Sequence, residues 1–578
     1  MWETSNPNIK KWLDMRLDNG NSNYNEMLYT YIITSEGTNK IKEDFINNSI
    51  LKKEHLSGDV YLHNSDEGYI PHCIGLSLID LLTNGYDNTV RAPKHLGSAM
   101  SQMSSNLYKN SLFFSGALSY SHVDALLAPF IYERNIKYKE AKQAIQNFLH
   151  CLDASCYRRG QSLFVNISID INVPNYLKDI QTSYSSMPLS EYQEEMDIFN
   201  KALLDLMIEG KNDGTPFTFP LLTINYTDDI KNRRCDDEVL SKIYELTSKY
   251  GAPYFRNMTG ELKEKEEYVH SMCCHLRVDV IEKYKDFKRG MWDIGSTLLD
   301  YVGGLNVITI NLNRIGIEAR DDTEYFERLE YLLDKAAQAL VYNKKVCQYL
   351  LDTGRYDISC RDFENMFNII GLAGGNESMV NFIGSAMQSK ESQRYAIRIM
   401  NLVNEKIDEY KRKYGCLFGV EFPPLEKASN RLALKDARKH KDAYVQNKDR
   451  NPYITTGFNF HVGSYICDIE WRSTIDRMAS SGTVYHIFDG EYRPPDEMQK
   501  YIENFARYNI PYFTYSPVMS ICPSHGVTYG IKYKCECGMD NYVTAKIVGY
   551  CRNIGLWSQA KIDELHERQS RFYRRQIC

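Results

Sequence analysis

The pattern of hydrophobic and polar residues predicts a chain that alternates strands with helices over most of its length. Clusters of β-branched and aromatic residues predict strands at 58–64, 164–174, 215–226, 307–312, 451–463 and 480–488. Apolar residues at helical spacing predict helices in 1–57, after Cys73 in 71–85, in 175–212, through most of 322–412 and in 561–578. We therefore expect an α/β protein.

Composition narrows the classes of protein that fit this pattern. The 578 residues are 43% hydrophobic and 25% charged, which suits a globular protein with a large core. A net charge of −6 argues against a general nucleic-acid binder. The N-terminus lacks the apolar core of a signal peptide, and no stretch approaches the roughly 20 apolar residues that span a bilayer. We therefore expect a cytoplasmic protein, free of membrane contacts, whose 15 cysteines are catalytic, metal-bound or buried.

A single glycine, Gly549, interrupts an apolar run near the C-terminus. An isolated glycine in such a run usually marks a bulge or a close approach of the backbone. Glycine also has no Cβ, so a radical on its Cα can stay planar between the amide nitrogen and the carbonyl. From the residues alone, both interpretations stay open.

Four potential metal ligands precede this glycine in two close pairs. They are Cys522 with His525, and Cys535 with Cys537. Sulfur and imidazole ligands in two pairs, separated by a short hairpin, suit tetrahedral zinc. The C-x-C spacing of the second pair is tight, so Cys551 is an alternative ligand to Cys537. Zinc here would hold the neighbouring glycine segment in place.

Two other regions carry cysteines that could be chemically active. Cys73 lies ahead of a predicted helix, where the helix dipole can favour a thiolate, although a small buried hydrophobe is the commoner role. Cys273 and Cys274 are adjacent. Successive side chains of an extended segment diverge, so only one of the two can face a given site.

Residues 367–377 form a further candidate site, because their pattern predicts a strand, a glycine turn and a helix. Such an arrangement can present backbone N–H groups to a phosphate. The turn contains Gly371, Gly374 and Gly375, but it does not match the Walker pattern. A glycine-rich turn is weak evidence when it stands alone.

Five separated blocks, in matching order, resemble the anaerobic (class III) ribonucleotide reductases, which are glycyl radical enzymes. The blocks are GDVYLHN at 58–64, MCCHL at 272–276, VITINLNRI at 307–315, EFPPLEKASNRLALKD at 421–436 and KIVGY at 546–550. The resemblance extends from about residue 45 to 575. Five features depart from the family pattern. Asn64 replaces an aspartate, His275 an arginine, Asn313 a proline and His525 a cysteine, and the last ligand pair is C-x-C. The implied fold is a ten-stranded α/β barrel of two antiparallel five-stranded halves.

The resemblance also implies a role for each matched residue. Gly549 would store the radical, and Cys274 would form the thiyl radical that attacks the substrate. Cys73 would supply a hydrogen atom from the opposite face, and Asn311 would bind the ribose hydroxyls. Further substrate contacts are implied for His63, Gly371, Gly374 and Gly375.

The cofactors, partners and domains follow from the same resemblance. The family uses a glycyl radical, zinc and commonly formate, although some relatives use a thiol protein as reductant. A separate radical-SAM activating enzyme carries the S-adenosylmethionine and the iron–sulfur cluster. The implied partners are ribonucleoside triphosphates, dNTP or ATP effectors at a specificity site, and a second copy in a homodimer. The implied divisions are a helical segment without an ATP cone at 1–57, a barrel with a finger loop near 270–279 at 58–515, and a zinc and radical segment at 516–578.

Two alternatives stay open at this point. A pyruvate formate-lyase type of glycyl radical enzyme also places adjacent cysteines at the centre of a barrel. An inactive, zinc-bearing paralogue that acts as a scaffold would explain His275, Asn64 and the C-x-C pair. The Cys/His cluster and the TINL strand favour the reductase.

Overall fold

The computed structural model describes most of the chain. The described residues are 39–86, 90–153, 162–262, 269–271, 277–279, 301–354, 356, 358, 360, 362–425, 427–459, 465–488, 492–547 and 549–573. The predicted helical segment 1–57 therefore lies partly outside them. In the part that is described, residues 39–48 and Lys52–Ser57 are helical, as predicted.

The strands are numbered in chain order. They are β1 (Val60–Leu62), β2 (Cys73–Gly75), β3 (Leu118–Tyr120), β4 (Val165–Ile169), β5 (Leu221–Thr227), β6 (Pro253–Met258), β7 (Val269–Ser271), β8 (Arg277–Asp279), β9 (Val302–Asn311), β10 (Met366–Ala373), β11 (Phe418–Glu421), β12 (Tyr485–Ile487), β13 (Tyr512–Tyr515), β14 (Val518–Cys522), β15 (Gly526–Tyr529), β16 (Tyr542–Ala545) and β17 (Arg552–Asn553).

Helices connect most of these strands. Besides the two N-terminal helices they are Leu78–Asn84, Leu96–Ser111, Val123–Glu133, Tyr138–Asp153, Gln193–Glu209, Asp228–Lys231, Asp237–Tyr250, Leu312–Glu318, Asp322–Asp352, Gly375–Phe382, Lys390–Tyr414, Lys427–Lys439, Tyr465–Asp476, Pro495–Arg507 and Gln559–Tyr573. Short 3₁₀ helices occupy Leu189–Tyr192, Gly260–Leu262 and Ile554–Leu556.

Eleven strands form one sheet. Ten of them follow the order β11-β10-β9-β2-β3-β4-β5-β6-β13-β12, and β1 pairs with β9 outside this order. Strands β2 to β6 are mutually parallel, and so are β9 to β13. The two halves meet through the antiparallel pairs β2–β9 and β6–β13. A parallel bridge between Glu421 and Gly482 returns the sheet to its first strand, and the Phe422 N–H donates to the Gly482 carbonyl at 3.0 Å. The expected ten-stranded barrel of two antiparallel halves is confirmed.

The β-branched run of β9 explains its central place in the barrel. Every residue of β9 is buried, as is typical of a parallel strand covered on both faces. Ile308 and Ile310 pack outward in the same cluster as the helix Asp322–Asp352. Val307 packs inward in the cluster that contains Cys73. Gly303 permits the close approach of β2, since a Cβ there would lie 2.1 Å from the Cys73 carbonyl oxygen.

Two smaller sheets accompany the barrel. Strands β15, β14, β16 and β17 form an antiparallel sheet near the C-terminus. Strands β7 and β8 form an antiparallel hairpin whose tip, 272–276, lies outside the described residues. At one end of the barrel, β2–β6 begin and β9–β13 finish. We call this end the upper mouth.

Some predicted elements differ from the structure. Residues 451–463 were predicted as a strand, and 460–463 of them lie outside the described residues. For 451–459 the prediction is wrong, because these residues form only isolated bridges. Their carbonyl groups instead accept hydrogen bonds from the Gly374 and Gly375 N–H groups of the glycine turn. Cys73 lies within β2 rather than directly ahead of a helix, which begins at Leu78 after a Ser77 cap. In 175–212 the α-helix covers only Gln193–Glu209. Within the described part of the chain, no helix is long and apolar enough to cross a membrane.

Candidate functional site

Gly549 lies at the upper mouth, against the inner wall of the barrel. The hydroxyl of Tyr254, the second residue of β6, donates a hydrogen bond to the Gly549 carbonyl. Tyr550 packs against Phe164, the residue before β4, and against Phe219, two residues before the start of β5. The φ angle of Gly549 is 118°, a left-handed conformation that disfavours other residues. The glycine therefore belongs to a loop after β16 and not to a strand.

The residues before Gly549 are tied to the same wall by a buried lysine. Lys546 is only 2% exposed. Its ammonium donates to the Gly251 carbonyl and, at 2.5 Å, to Thr514 Oγ1. It also lies 4.5 Å from the centre of the Tyr254 ring. A buried cation needs such partners, since its loss of hydration is otherwise uncompensated.

The residues after Gly549 are held by the C-terminal helix Gln559–Tyr573. Asp563 accepts hydrogen bonds from Asn447 and Asn451 at 3.0 and 2.7 Å. The Tyr453 hydroxyl donates to Glu567 at 2.6 Å. One side of this helix packs against the protein, since Ala560, Lys561, Glu564 and Leu565 are buried. The glycine loop is thus anchored on both sides.

The four predicted metal ligands come together at the end of β14 and β16 that is farther from this loop, since Ile521, next to Cys522, pairs with Tyr542, the first residue of β16. All four ligand atoms lie within 4.8 Å of one another. Cys522 Sγ lies 3.8 Å from Cys537 Sγ, and His525 Nδ1 lies 3.6 Å from the Sγ atoms of Cys522 and Cys535. Tetrahedral zinc, with Zn–S of about 2.3 Å and Zn–N of about 2.0–2.1 Å, places two sulfurs about 3.8 Å apart and sulfur and nitrogen about 3.6 Å apart. The donor set therefore fits zinc.

The alternative ligand Cys551 does not join this group. Its Sγ lies 3.9 Å from the Tyr250 carbonyl oxygen, and burial raises the pKa of the Cys551 thiol. Cys522 ends β14, and Cys535 and Cys537 belong to the turn that leads to β16. The hairpin between these strands brings the C-x-C pair to the other two ligands.

Cys73 lies on the inner wall of the barrel, and its Sγ accepts a hydrogen bond from the Ala117 N–H at 3.2 Å. Gly116 makes room for the thiol, since a Cβ there would lie 2.5 Å from the sulfur. Phe164 packs against both the Cys73 cluster and the Tyr550 cluster. One aromatic side chain thus connects the surroundings of Cys73 with those of Gly549.

His63 lies near the C-terminal half of β9. His63 Nε2 lies 2.8 Å from Thr309 Oγ1. Burial lowers the pKa of His63 to about 3, and the nearby His72 and His55 contribute. The imidazole is therefore neutral at physiological pH, and its ring can exchange hydrogen bonds without adding charge. Gly371 lies against the same threonine, because a Cβ there would be 2.3 Å from Thr309 Oγ1.

Asn311 ends β9 within a buried polar network. Its side-chain amide donates to Asp436 at 3.0 Å and to the Gly58 carbonyl at 3.0 Å. Its Oδ1 accepts from the Arg314 N–H at 3.3 Å and so caps the helix Leu312–Glu318. Asp436 also accepts from Asn313 at 2.8 Å and lies 2.8 Å from the Arg314 guanidinium. The predicted ribose ligand is thus fixed in place by its neighbours.

The predicted glycine turn is present, but it uses part of its hydrogen-bonding capacity internally. The N–H groups of Gly374 and Gly375 donate to the Thr455 and Gly457 carbonyls at 2.7 and 2.9 Å. Glu377, in the first turn of the following helix, accepts from Thr455 Oγ1 at 2.9 Å. Burial raises the pKa of Glu377 to about 7, so the carboxyl group can be neutral near physiological pH.

Cys273 and Cys274 lie outside the described residues, between β7 and β8. Their assignment therefore stays a prediction from the sequence. Two residues beside Gly549 received no role from the sequence, Tyr254 and Lys546. A charged residue inside an apolar run was a signal for Lys546. Tyr254 gave no such signal, because it is separated from Gly549 by 295 positions.

Comparison with known proteins agrees with this geometry. The profile of the family "Anaerobic ribonucleoside-triphosphate reductase" matches residues 18–570. The reductase of Haemophilus influenzae is 20% identical over 524 residues, which cover 82% of this chain and 70% of that protein. The reductase of Enterobacteria phage T4 is 21% identical over 518 residues, which cover 83% and 82%.

Solved structures show the same fold. The anaerobic ribonucleotide reductase of Thermotoga maritima, with dATP bound in the specificity site, matches with a TM-score of 0.73 and 17% identity over 95% of this chain and 94% of that chain. The same reductase in complex with dATP and CTP matches with a TM-score of 0.70 and 18% identity over 97% and 94%. The family profile covers nearly the whole length, so the chain belongs to the anaerobic ribonucleoside-triphosphate reductase family, whose members are oxidoreductases.

Proposed function

We propose that this protein reduces ribonucleoside triphosphates to 2′-deoxyribonucleoside triphosphates by radical chemistry that begins at Gly549. The observation that carries the proposal is that Gly549 is held at the mouth of a barrel whose inner wall bears Cys73. Membership of the reductase family supplies the substrate class. The product would serve as a precursor for DNA synthesis.

The proposed reaction moves one hydrogen atom at a time. A radical-SAM activating enzyme removes a hydrogen atom from Gly549 Cα. The glycyl radical then takes the hydrogen atom of the Cys274 thiol, and the thiyl radical takes the 3′ hydrogen of the ribose. The 2′ hydroxyl leaves as water, and Cys73 supplies a hydrogen atom from the opposite face. Loss of this water, which takes the proton of the 3′ hydroxyl, leaves a ketone at C3′. Formate gives its hydrogen atom to the Cys73 thiyl radical, and the resulting CO2 radical anion reduces the ketone and leaves as CO2. Cys274 then returns a hydrogen atom to C3′ and takes one back from Gly549, which restores the glycyl radical.

Substrate binding would use residues around the upper mouth. Asn311 Oδ1 accepts one hydrogen bond in this structure, and a carbonyl oxygen has two lone pairs, so it can accept a second from a ribose hydroxyl. His63 would contact the substrate as a neutral imidazole. The N–H groups of Gly374 and Gly375 already donate hydrogen bonds within the protein. The substrate phosphates would therefore accept hydrogen bonds from the N–H groups that follow in the helix Gly375–Phe382.

The remaining assignments concern support and regulation. Cys522, His525, Cys535 and Cys537 would hold a structural zinc that fixes the start of β16, the strand that leads to the glycine loop. By analogy with the Thermotoga maritima reductase, crystallised with dATP in a specificity site, nucleotide effectors would bind this protein as well. We propose that the catalytic barrel spans 58–515 and that the zinc and radical segment spans 516–578. The active form would be a cytoplasmic homodimer.

Anaerobic activation followed by two assays tests the proposal. The protein is incubated with its cognate activating enzyme, S-adenosylmethionine and a reductant, and its electron paramagnetic resonance spectrum is recorded. We expect a glycyl doublet, followed by formation of deoxynucleotide and labelled CO2 from ribonucleoside triphosphate and labelled formate. Turnover of pyruvate with coenzyme A would instead indicate a lyase. No doublet with a competent activating enzyme would indicate an inactive scaffold.

A further inference from the structure

We propose that Tyr254 is a positioning residue that holds the Gly549 carbonyl and stabilises the radical state of that glycine. This inference rests on the proposed function, because it concerns the residue that would carry the radical. Tyr254 donates its hydroxyl hydrogen to the carbonyl oxygen of Gly549 itself, and not to that of a neighbouring residue. The tyrosine is fully buried and the contact lies inside the barrel mouth.

The tyrosine can fix this carbonyl because its own ring is fixed on two sides. Tyr512, on the neighbouring strand β13, stacks on it with ring centres 5.5 Å apart and planes 13° apart. The ammonium of Lys546 lies over the ring, 4.5 Å from its centre. Lys546 is three residues from Gly549, so the loop contacts the same ring from both its backbone and a side chain.

The hydrogen bond acts on the atom where electron density would increase. An unpaired electron on a glycine Cα is delocalised over the adjacent amide nitrogen and carbonyl group. Delocalisation raises the electron density on the carbonyl oxygen, and a donor already aimed at that oxygen stabilises the resulting state without reorganisation. The surroundings strengthen this effect, since Phe219, Tyr550 and their apolar neighbours exclude water.

Lys546 makes Tyr254 a better donor. A cation over an aromatic face is attracted by the ring electrons, and it withdraws density from the phenol oxygen. The hydroxyl hydrogen then carries more positive charge. The lysine thus strengthens the hydrogen bond from the tyrosine hydroxyl to the glycine carbonyl, which stabilises the radical. The same hydrogen bond keeps the glycine peptide in one orientation for hydrogen transfer.

The test is the spectrum of the activated protein in matched variants. Tyr254→Phe removes only the hydroxyl group, and Tyr512→Phe makes the same change in the stacked ring, whose hydroxyl contacts Thr223 at 2.9 Å. We expect Tyr254→Phe to change the hyperfine splitting of the glycyl doublet. We also expect it to shorten the anaerobic lifetime of the radical by about three- to tenfold, the factor that a single hydrogen bond contributes. Tyr512→Phe should leave the splitting at the wild-type value.

A second substitution keeps the test decisive if Tyr254→Phe does not fold. Replacement of Tyr254 by 3-fluorotyrosine keeps the shape and the donor but makes the hydroxyl more acidic, and it should shift the splitting in the direction opposite to phenylalanine. Wild-type splitting and lifetime with 3-fluorotyrosine would overturn the inference while leaving the proposed function intact. The absence of a doublet in the wild-type protein would instead refute the proposed function, and this inference with it.

Discussion

The buried pair of Arg314 and Asp436 gives a quantitative prediction about the end of β9. Both side chains are 0% exposed, and the guanidinium lies 2.8 Å from the carboxylate. Arg314→Leu leaves the carboxylate buried without its cation, which costs about 3–5 kcal/mol of the unfolding free energy. The nearby Arg320 is a matched control, because it also pairs with a carboxylate at 2.8 Å but is 86% exposed. Arg320→Leu should cost at most about 1 kcal/mol.

The same pair predicts how the cost depends on pH. Burial raises the pKa of Asp436, and Arg314 is the main group that opposes this rise. Without Arg314 the pKa in the folded state rises further above its value in the unfolded chain. A carboxyl group with a raised folded pKa binds more protons when folded, so stability falls as pH rises from the unfolded pKa through the folded one. The penalty of Arg314→Leu should therefore shrink as pH is lowered from about 8 to about 5.

Urea titrations of the wild type and both variants, at several pH values, measure these quantities. The unfolding free energies are compared where the slopes agree, so that differences report stability. Equal costs for Arg314→Leu and Arg320→Leu would contradict the burial argument. A penalty for Arg314→Leu that stays constant with pH would show that Asp436 does not titrate as described.

Three further predictions concern the proposed chemistry. Anaerobically purified protein should contain one zinc per chain, which Cys522→Ser should lose and Cys551→Ser should keep. An unchanged zinc content in Cys522→Ser would refute the ligand set. Cys274→Ala and Cys73→Ala should both accept the glycyl radical yet form no deoxynucleotide; if Cys273→Ala is inactive and Cys274→Ala works, the assignment within the pair is wrong. Activated protein exposed to air should be cleaved at Gly549, as mass spectrometry of the large fragment would show. Gly549→Ala, strained at a φ of 118°, should resist both activation and cleavage, and a cut elsewhere would place the radical on another residue.

Sequence patterns predicted the features that local chemistry determines. The β-branched run of 307–312 became part of β9, and the two ligand pairs met as their spacing indicated. The ten-stranded barrel required the family resemblance, because no local pattern specifies which strands pair across hundreds of residues. Residues 451–459 show the limit: their aromatic and β-branched residues suit a strand, but they bond to the glycine turn instead.

The contacts that fix individual site residues were not predictable for the same reason. Asn311 was expected to bind substrate, and no local pattern indicates that its amide also bonds to Asp436, 125 positions away. Cys551 was the alternative ligand to Cys537 by spacing, and only the path of the backbone directs it to Tyr250. Long-range contacts of this kind depend on the assembled barrel.

The opposed directions of the two half-barrels have a consequence for the electric field around the site. In an all-parallel barrel the helices that follow the strands all begin at one end. Here the helices Leu312–Glu318, Gly375–Phe382 and Lys427–Lys439 begin at the upper mouth, after β9, β10 and β11, whereas Leu78–Asn84 and Val123–Glu133 begin at the opposite end. Each helix start carries a partial positive charge. The electric field therefore differs across the rim that holds Gly549: the side formed by β9, β10 and β11 favours anions, and the side beside Tyr254 does not. The proposed triphosphate substrate and the proposed uncharged radical centre would therefore share one opening without sharing the same electric field.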